Sequence, residues 1–383
     1  MSNNLNNAIN NIFNHFDGDY NTTEEDSQAV FNELSEAVKK GDKKFFHQLV
    51  AAEKAKERKK NEPTILFGAV SAGKIDIVKA LIEAGCDVNA KIEMCFTFDA
   101  LGVAVDKGFT EIVQVLLDSG ADPNANNANP GIAYIRKAMR KGYTKIVHLL
   151  LDRGAKVKFG TGFRLLVDAA ENSNVEIVQM IIDAGCNVNT RNYQYDTSLT
   201  AACRRGKVEV VKTLVDAGAN VNKTGMHEYT PIISVFYAEI TNKFMARQGF
   251  TKAINNIEES VYAIVDILIN AGAEVNCRDS HHGTIPLMMA IIKNYHSVAK
   301  LLIEAGADLD LISQPDPNSF FVGEVKNRTA LHIAVELEQI NTVRMLLEAG
   351  ANSQIQNSDN QTPLDVAIVK NQTKIAELLK NYS

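Results

Sequence analysis

The sequence has no tryptophan, eight prolines and only five cysteines among its 383 residues. An odd number of cysteines, with no C-x-x-C pair, argues against a disulfide framework and against a structural zinc site. We therefore expect a reduced cytosolic protein with buried thiols. The cysteines are Cys86, Cys95, Cys186, Cys203 and Cys277.

Long apolar runs are also missing. No stretch approaches the ~18 consecutive apolar residues that a membrane span needs, so we expect no transmembrane helix. Residues 1–14 are rich in asparagine and lack the basic start and apolar block of a secretory signal. A net charge of −6, from 40 basic and 46 acidic residues, argues against general polyanion binding by the whole chain.

An apolar residue recurs along the chain, in most cases at intervals of about 33 residues. These anchor residues are Leu34, Leu66, Leu101, Ile135, Leu166, Leu199, Ile232, Leu287, Leu331 and Leu364. Alanine stands three positions after nearly every anchor, and glycine or a turn-tolerant residue stands seven positions after most of them. Two apolar pairs four residues apart follow, such as Ile77-Val78 and Leu81-Ile82, and then a second glycine.

This pattern predicts two short helices and a polar loop in each repeat. The alanine lets neighbouring helices approach closely, and the first glycine permits a positive φ where the first helix stops. The two apolar pairs form one face of the second helix. One such unit cannot bury its apolar face alone, so stacked units are expected to share a continuous core.

The repeats resemble those of the ankyrin-repeat family. Close matches are Arg328-Thr-Ala-Leu-His-Ile-Ala334, Thr362-Pro-Leu364 and Leu116-Leu-Asp-Ser-Gly-Ala-Asp-Pro-Asn124. The resemblance covers about residues 28–383 and implies an all-α ankyrin-repeat solenoid of about ten helix-turn-helix units with hairpin-like loops. It also implies that the first helices and loop tips line a concave partner-binding surface.

The array departs from a uniform repeat at its ends and at two insertions. We expect an Asn-rich N-terminal segment with a short amphipathic helix at 1–27 and an N-terminal cap unit at 28–61. A helical insertion is expected at about 238–258, a loop insertion at about 311–325, and a C-terminal cap unit at 360–383. Each insertion either packs on the array or contacts a partner, and the sequence leaves both interpretations open.

The sequence offers few residues for catalysis or metal binding. Cys277, Asp279, His281 and His282 could suggest a metal site, but they lie in a loop tip without a second cluster. Residues 17–28 imitate part of a calcium-binding loop but lack its glycine and its bidentate glutamate. We expect no enzyme activity, no metal ion and no cofactor.

Local charge stands out against this background. Residues 135–164 contain nine basic residues, with Asp152 as the only acidic one. Arg140-Lys141 and Arg204-Arg205 occupy equivalent positions in their first helices. These residues form either a solvated basic face or a docking patch for an acidic segment of a partner.

Aromatic residues in the predicted loops complete the candidate surface, because tyrosine and arginine dominate interface energetics. The candidate partner-binding residues are Arg136, Lys137, Arg140, Lys141, Arg204, Arg205, Phe96, Phe98, Tyr193, Tyr195, Tyr229, Phe320 and Phe321.

The sequence thus predicts a non-catalytic scaffold that binds an unidentified protein through the concave face, the loop tips and the insertions. One alternative is phosphate or nucleic-acid binding through 135–164, although the net charge disfavours nucleic acid. The other is a host-directed microbial effector that captures a host protein, since the Asn- and Lys-rich composition fits an AT-rich genome. We expect a monomer in the cytoplasm, or in a host cytosol if the source is an intracellular microbe.

Overall fold

The computed structural model describes residues 24–55, 64–93, 97–125, 132–157, 162–237, 257–280, 283–314 and 327–382. Within these ranges the chain is almost entirely helical, with twenty α-helices that form ten consecutive pairs. The predicted all-α ankyrin solenoid of about ten units is therefore confirmed. Close packing divides the chain into an N-terminal block, Met1–Leu165 with Asp183–Gly185, and a C-terminal block, Leu166–Ile182 with Cys186–Ser383.

The N-terminal block contains four helix pairs. They are α1 (Glu24–Lys39), α2 (Lys43–Ala55), α3 (Ile65–Ser71), α4 (Ile75–Glu83), α5 (Ala100–Lys107), α6 (Thr110–Asp118), α7 (Ile132–Arg140) and α8 (Thr144–Asp152). The first helices α3, α5 and α7 pack side by side, and so do the second helices α2, α4, α6 and α8. Each repeat therefore contacts its sequence neighbours within the block, as a stacked array requires.

The fifth pair contains the block boundaries and the C-terminal block holds the other five. The fifth pair is α9 (Gly162–Asn172) and α10 (Val175–Asp183). The others are α11 (Ser198–Arg204), α12 (Val208–Asp216), α13 (Pro231–Ser234), α14 (Ile257–Asn270), α15 (Pro286–Ile292), α16 (His296–Glu304), α17 (Ala330–Glu336), α18 (Ile340–Glu348), α19 (Pro363–Val369) and α20 (Thr373–Lys380). Two single turns of 3-10 helix, Met226–Glu228 and Val235–Tyr237, flank α13.

The core lies between the helices of each repeat and its neighbours. Eight of the nine alanines three positions after the anchors are buried there, while Ala37 is half-buried. The buried ones are Ala69, Ala104, Ala138, Ala169, Ala202, Ala290, Ala334 and Ala367. The second helices bury their paired apolar residues, as Ile77, Val78 and Leu81 do in α4. The period read from the sequence therefore places the right residues in the core.

The first helices begin at capping side chains. Thr64, Thr197, Thr329 and Thr362 each accept a hydrogen bond from the backbone N–H three residues later, which satisfies a donor that the helix itself leaves open. His332 completes the cap of α17, because its Nδ1 lies 2.8 Å from the Thr329 hydroxyl. Its Nε2 lies 3.0 Å from the carbonyl oxygen of Gln361, so this imidazole also joins its repeat to the next one.

The first helices end at a left-handed turn. Gly108 follows α5 with a φ of +74°, and a Cβ at this position would lie 2.6 Å from the Tyr143 ring of the next repeat. Glycine is therefore favoured here by its backbone conformation and by this close approach of the Tyr143 ring. Asn294, Glu338 and Asn371 adopt the same positive φ at the equivalent position of their repeats.

The polar loops hold successive repeats together through a recurring asparagine. The Asn89 amide donates to the carbonyl oxygen of Gly120 at 3.0 Å, and its Oδ1 accepts from the Asp122 N–H at 2.8 Å. Both partners lie just beyond the second helix of the next repeat, where backbone groups lack helical partners. The asparagines that make the first of these two bonds are Asn89, Asn124, Asn189, Asn222 and Asn276.

One loop between repeats forms a short hairpin, as the hairpin-like loops of the resemblance imply: β1 (Lys91–Glu93) pairs antiparallel with β2 (Thr97–Asp99). The burial expected of the cysteines needs correction. Among the cysteines that the structure describes, Cys203 is buried, whereas Cys86, Cys186 and Cys277 are only half-buried. The partial burial still raises the pKa of Cys86 to about 12 and that of Cys277 to about 11.

We predict that Ala169→Leu destabilises the fold by roughly 1–3 kcal/mol, because the added methylenes overpack a fully buried position. Chemical unfolding measures this loss. Ala217→Leu, at an exposed position after α12, is the matched control and should change stability by less than about 0.5 kcal/mol. Equal stability of both variants would show that the assigned register is wrong.

A second prediction concerns pH. Burial lowers the pKa of His332 below its ordinary value of 6.5, so the folded protein holds this imidazole neutral. As the pH falls through 6.5, the unfolded chain binds the proton first, and the free energy of unfolding decreases. His332→Gln removes this titratable group. Its free energy of unfolding should therefore fall less steeply than that of the wild type between pH 7 and pH 5, a range of about two pH units that spans the ordinary histidine pKa. Parallel pH profiles of the two proteins would contradict this assignment.

Candidate partner-binding surface

The basic candidates of the N-terminal block lie on α7. This helix buries Ala138 and Met139 on one side, while Lys137 and Arg140 are exposed on the other. A 3.6-residue period therefore separates the core face of α7 from its basic face. Arg136 is only half-buried and belongs to neither face alone.

Neighbouring carboxylates already use part of this basic face. Asp106, at the end of α5, forms ion pairs with Lys137 at 3.4 Å and with Lys141 at 3.1 Å. The hydrogen bond from Lys141 is the main reason why the pKa of Asp106 lies below its ordinary value. The side chains remain about two-fifths exposed, so each pair contributes at most about 1 kcal/mol.

Lys141 also has a structural role. Its Nζ donates to the backbone carbonyl of Asp106 at 2.6 Å, and Lys107 donates in the same way to Ser71 one repeat earlier, at 2.8 Å. In both cases a lysine ammonium meets the carbonyl end of the preceding first helix, where a positive charge is favoured. The guanidinium of Arg140 makes no hydrogen bond or ion pair with any residue that the structure describes.

The basic candidates of the C-terminal block, Arg204 and Arg205, are not exposed as Arg140 is. Arg205 is only 7% exposed, and its guanidinium lies 2.6 Å from a carboxylate oxygen of Glu171. Arg204 is mostly buried and pairs with Asp196 at 2.5 Å. Carboxylates of the same block therefore neutralise both arginines and leave them less accessible to an acidic partner segment than the sequence suggests.

Asp196 connects this ion pair to a hairpin tip. Its other oxygen accepts from the Thr200 hydroxyl at 2.5 Å and from the backbone N–H of Met226 at 3.2 Å. A buried network thus holds the base of the segment between Arg191 and Thr197, which form an isolated antiparallel bridge.

Two tyrosines stand on this tip. Tyr193 is 72% exposed and Tyr195 is 70% exposed, which makes them the most exposed large apolar side chains among the described residues. Asn192 fixes the turn, because its Oδ1 accepts from the N–H of Gln194 and from that of Asp196, both at 2.9 Å. The aromatic pair therefore stands on a turn that is held by hydrogen bonds.

The conformation of Tyr195 is strained. Its φ is +60°, a left-handed value that is an outlier for a bulky residue. The tenth repeat builds the same turn around Asn357, and there Asn360 takes the left-handed position with a φ of +55°. Tyrosine thus occupies a position for which asparagine is better suited.

The remaining aromatic candidates separate into two groups. Tyr229 is buried, and its ring stacks on that of Tyr237 with centroids 4.8 Å apart. The prediction that Tyr229 lies at an exposed loop tip is therefore wrong, because repeat seven uses this ring in its core. Phe98 belongs to β2, while Phe96, Phe320 and Phe321 lie outside the described residues.

Several predicted features also fall outside the described ranges. These are the N-terminal segment before residue 24, nearly all of the helical insertion and most of the loop insertion. His281 and His282 belong to this group as well, while the thiol of Cys277 lies 3.1 Å from the Thr230 hydroxyl. In the part of the chain that the structure describes, no group of three acidic, histidine or cysteine side chains could hold a metal ion. None of the helices described is both long enough and apolar enough to span a bilayer.

Sequence reasoning missed one surface. Ile292, Leu337, Ile368 and Val369 are large, exposed apolar residues near the ends of the first helices of repeats eight to ten. The repeat register contained the signal, because these residues stand four to six positions after their anchors. Positions five and six of other repeats carry charged residues such as Asp106 and Lys141.

Comparison with known proteins agrees with the repeat architecture. The family profile described as "Ankyrin repeats (3 copies)" matches residues 34–127, 135–225 and 311–383, and the profile "Ankyrin repeat" matches residues 282–314. Together these segments cover well over half of the chain.

Individual relatives match shorter stretches. The chain is 36% identical over 109 residues to ankyrin repeat protein FPV031 of Fowlpox virus, which is 28% of this chain and 29% of that protein. It is 35% identical over 97 residues to Rabankyrin-5 of Mus musculus and 33% identical over 141 residues to mitochondrial disaggregase of Bos taurus. These matches cover 25% and 30% of this chain, and 8% and 20% of the two relatives. The matched stretches thus span less than a third of the length of any of these relatives. The family profiles, which cover most of the chain, show that it belongs to the ankyrin-repeat family.

Proposed function

We propose that this chain is a non-catalytic scaffold that binds a partner protein, with Tyr193 and Tyr195 as aromatic anchors. Ankyrin repeats mediate protein–protein interaction, which supports the general role. The observation that carries the specific site is the exposed tyrosine pair on a strained but firmly held turn.

The strain supports a role outside the fold. A left-handed non-glycine residue costs of the order of 1–3 kcal/mol and persists where the surroundings impose it, often at binding sites. With 70% of its surface exposed, the Tyr195 side chain recovers little of this free energy by packing. An aromatic anchor that is buried on binding would recover it, since tyrosine brings a large area with few rotatable bonds.

A second contact surface is proposed on α7. Arg140 is exposed beside the ion pairs of Asp106, so an acidic segment of the partner could reach its guanidinium without breaking them. This surface is smaller than the sequence predicted, because Lys137 and Lys141 already face a carboxylate.

The same ion pairs argue against phosphate or nucleic-acid binding through 135–164. Besides the two lysines, Arg153 pairs with Asp118 of the preceding repeat, so fewer charges remain to release counterions from a polyanion. Contacts through the two insertions, a host-directed role and a location in the cytoplasm or a host cytosol stay predictions.

The tyrosine site can be tested on a partner isolated by affinity capture with the full chain and with a chain lacking 238–258. We expect Tyr193→Ala to speed dissociation and weaken binding by about 2 kcal/mol or more. We expect Tyr195→Asn, which copies the turn of the tenth repeat, to weaken binding while it raises stability, because the strain is relieved. Surface plasmon resonance and thermal unfolding measure the two effects.

Tyr262→Ala is the matched control, because Tyr262 is also exposed but lies on a second helix, α14. It should leave the affinity unchanged. If the two turn variants bind like wild type while deletion of 238–258 abolishes binding, the helical insertion is the site and the tyrosine proposal is wrong.

Charge reversal separates the two arginines that the sequence treated alike. Arg140→Glu should change stability by less than about 0.5 kcal/mol, while it slows association with an acidic partner and reduces its salt dependence. Arg204→Glu should destabilise the fold by about 3–5 kcal/mol, because it leaves Asp196 without its buried partner. Chemical unfolding and stopped-flow association measure these effects, and equal stability of both variants would contradict the assignment.

A further inference from the structure

Large apolar side chains are exposed together near the ends of three consecutive first helices in the C-terminal block. Ile292 is 47% exposed at the end of α15, Leu337 is 46% exposed just after α17, and Val369 is 67% exposed at the end of α19. Soluble proteins rarely expose contiguous apolar patches without a use for them.

Hydrogen bonds between the repeats bring these residues next to one another. The Gln339 amide donates to the carbonyl oxygen of Ile291 at 2.8 Å, which places Leu337 beside Ile292. Lys370 donates to the carbonyl oxygen of Glu336 at 3.1 Å, which joins the end of α19 to the end of α17. The ends of the three first helices are therefore connected in sequence, and each carries an exposed apolar side chain.

An open groove of about 660 Å³ lies between repeats eight and nine on this surface. Ile292, Leu337 and Ile340 supply its apolar lining, and polar side chains such as Asn294 and Asn341 also border it. Glu338 is the carboxylate among the lining residues. His296 lines the groove as well. Ile292, Leu337 and Ile340 thus offer an apolar contact within a mostly polar groove that also contains the Glu338 carboxylate.

Glu338 occupies a position for which glutamate is poorly suited. Its φ is +58°, and the equivalent residues of the adjacent repeats are Asn294 and Asn371, with φ values of +57° and +56°. An exposed, charged, left-handed residue gives the fold no packing in return for its strain. The outlier therefore points to a role for the carboxylate itself.

Nearby carboxylates are engaged within the fold. Glu336 lies 2.5 Å from the guanidinium of Arg328, and Asp365 accepts hydrogen bonds from the backbone N–H and hydroxyl of Thr362 at 2.9 and 2.7 Å. The backbone of Glu338 is hydrogen-bonded to Val335 and Ile340, while no hydrogen bond or ion pair joins its carboxylate to the described part of the chain. It is thus available to a cationic group that enters the groove.

We propose that this groove binds a short segment of a partner protein that carries an aliphatic or aromatic side chain and, beside it, a lysine or arginine. The apolar side chain packs between Ile292 and Leu337, and the cation pairs with Glu338. The proposal rests on the proposed function, because it assumes that the array binds protein, and it adds a second site and the chemistry of its ligand.

The repeat spacing extends this description. Packed helices lie about 8–10 Å apart, and an extended chain rises about 3.3 Å per residue. Side chains about three residues apart in an extended segment therefore reach successive repeats. A second apolar residue at that spacing would pack on Val369.

Selection of short peptides from a random display library on the full wild-type chain tests the proposal. We expect enriched peptides to combine apolar residues with lysine or arginine. Leu337→Ala should weaken their binding about tenfold, as expected for truncation of an anchor contact. Val175→Ala removes an exposed apolar side chain from repeat five and should leave binding unchanged.

Variants at Glu338 separate charge from folding. Glu338→Asn should raise the melting temperature, because asparagine tolerates the left-handed turn, and should still weaken binding about fivefold through loss of the charge. Glu338→Lys should shift a fresh selection from basic to acidic peptides. Weaker binding by a more stable protein cannot result from misfolding.

Several outcomes would overturn the proposal. They are the absence of enriched peptides, enriched peptides without basic residues, and binding that is insensitive to both Leu337→Ala and Glu338→Asn. Peptides that lose affinity with Tyr193→Ala instead would overturn this site and leave the proposed function intact. Concentration-dependent self-association that Leu337→Ala abolishes, without peptide binding, would assign the groove to a second copy of the chain.

Discussion

The apolar faces of one repeat are too large for two short helices to cover, so each repeat must bury them against its neighbours. Every other regularity of the structure serves this constraint. The alanines let first helices meet, and the left-handed turn at Gly108 lets the ring of Tyr143 approach from the next repeat. The side chains of Asn89 and its counterparts then make hydrogen bonds to backbone groups just beyond the second helix of the following repeat. Within each block the core is therefore built from contacts between residues about one period apart.

Most of the fold could be predicted because its determinants are periodic and local. The anchors, the alanines and the turn residues report the register directly, and the ten helix pairs follow it. The hairpin of β1 and β2 agrees with the hairpin-like loops that the resemblance implies. The burial of Tyr229 could not be predicted, because repeat seven departs from the periodic pattern. Its stacking partner, Tyr237, comes from the end of the irregular first helix of repeat seven, where the alanine is replaced by Val235.

The candidate site was harder to predict from the sequence. Oppositely charged side chains pair between adjacent repeats, and the net charge of one segment does not show these pairs. Residues 135–164 are basic as a segment, yet their partners lie about one repeat away. Asp106 meets Lys141 and Asp118 meets Arg153, and in the C-terminal block Glu171 meets Arg205. Opposite charges at matching positions of adjacent repeats are therefore evidence of ion pairs inside the array. This spacing accounts for the pairing of Arg205, whereas Arg204 pairs with Asp196, 8 positions earlier in its own repeat, which a comparison of adjacent repeats does not reveal.

Residues at left-handed turns distinguish structural positions from candidate contact positions more clearly than charged residues do. Where such a turn packs against the next repeat, as at Gly108, glycine avoids a close contact with the Tyr143 ring, and the choice of residue belongs to the fold. Where it is exposed, asparagine satisfies the backbone, as Asn360 and Asn371 show. Tyr195 and Glu338 stand at exposed turns and satisfy neither requirement, so the fold alone does not account for them. One brings an aromatic ring and the other a carboxylate, and both keep those groups in solvent. His227 and Glu228 are two further exposed residues with a positive φ, so the strain supports the contacts proposed for Tyr195 and Glu338 only together with the position of their side chains.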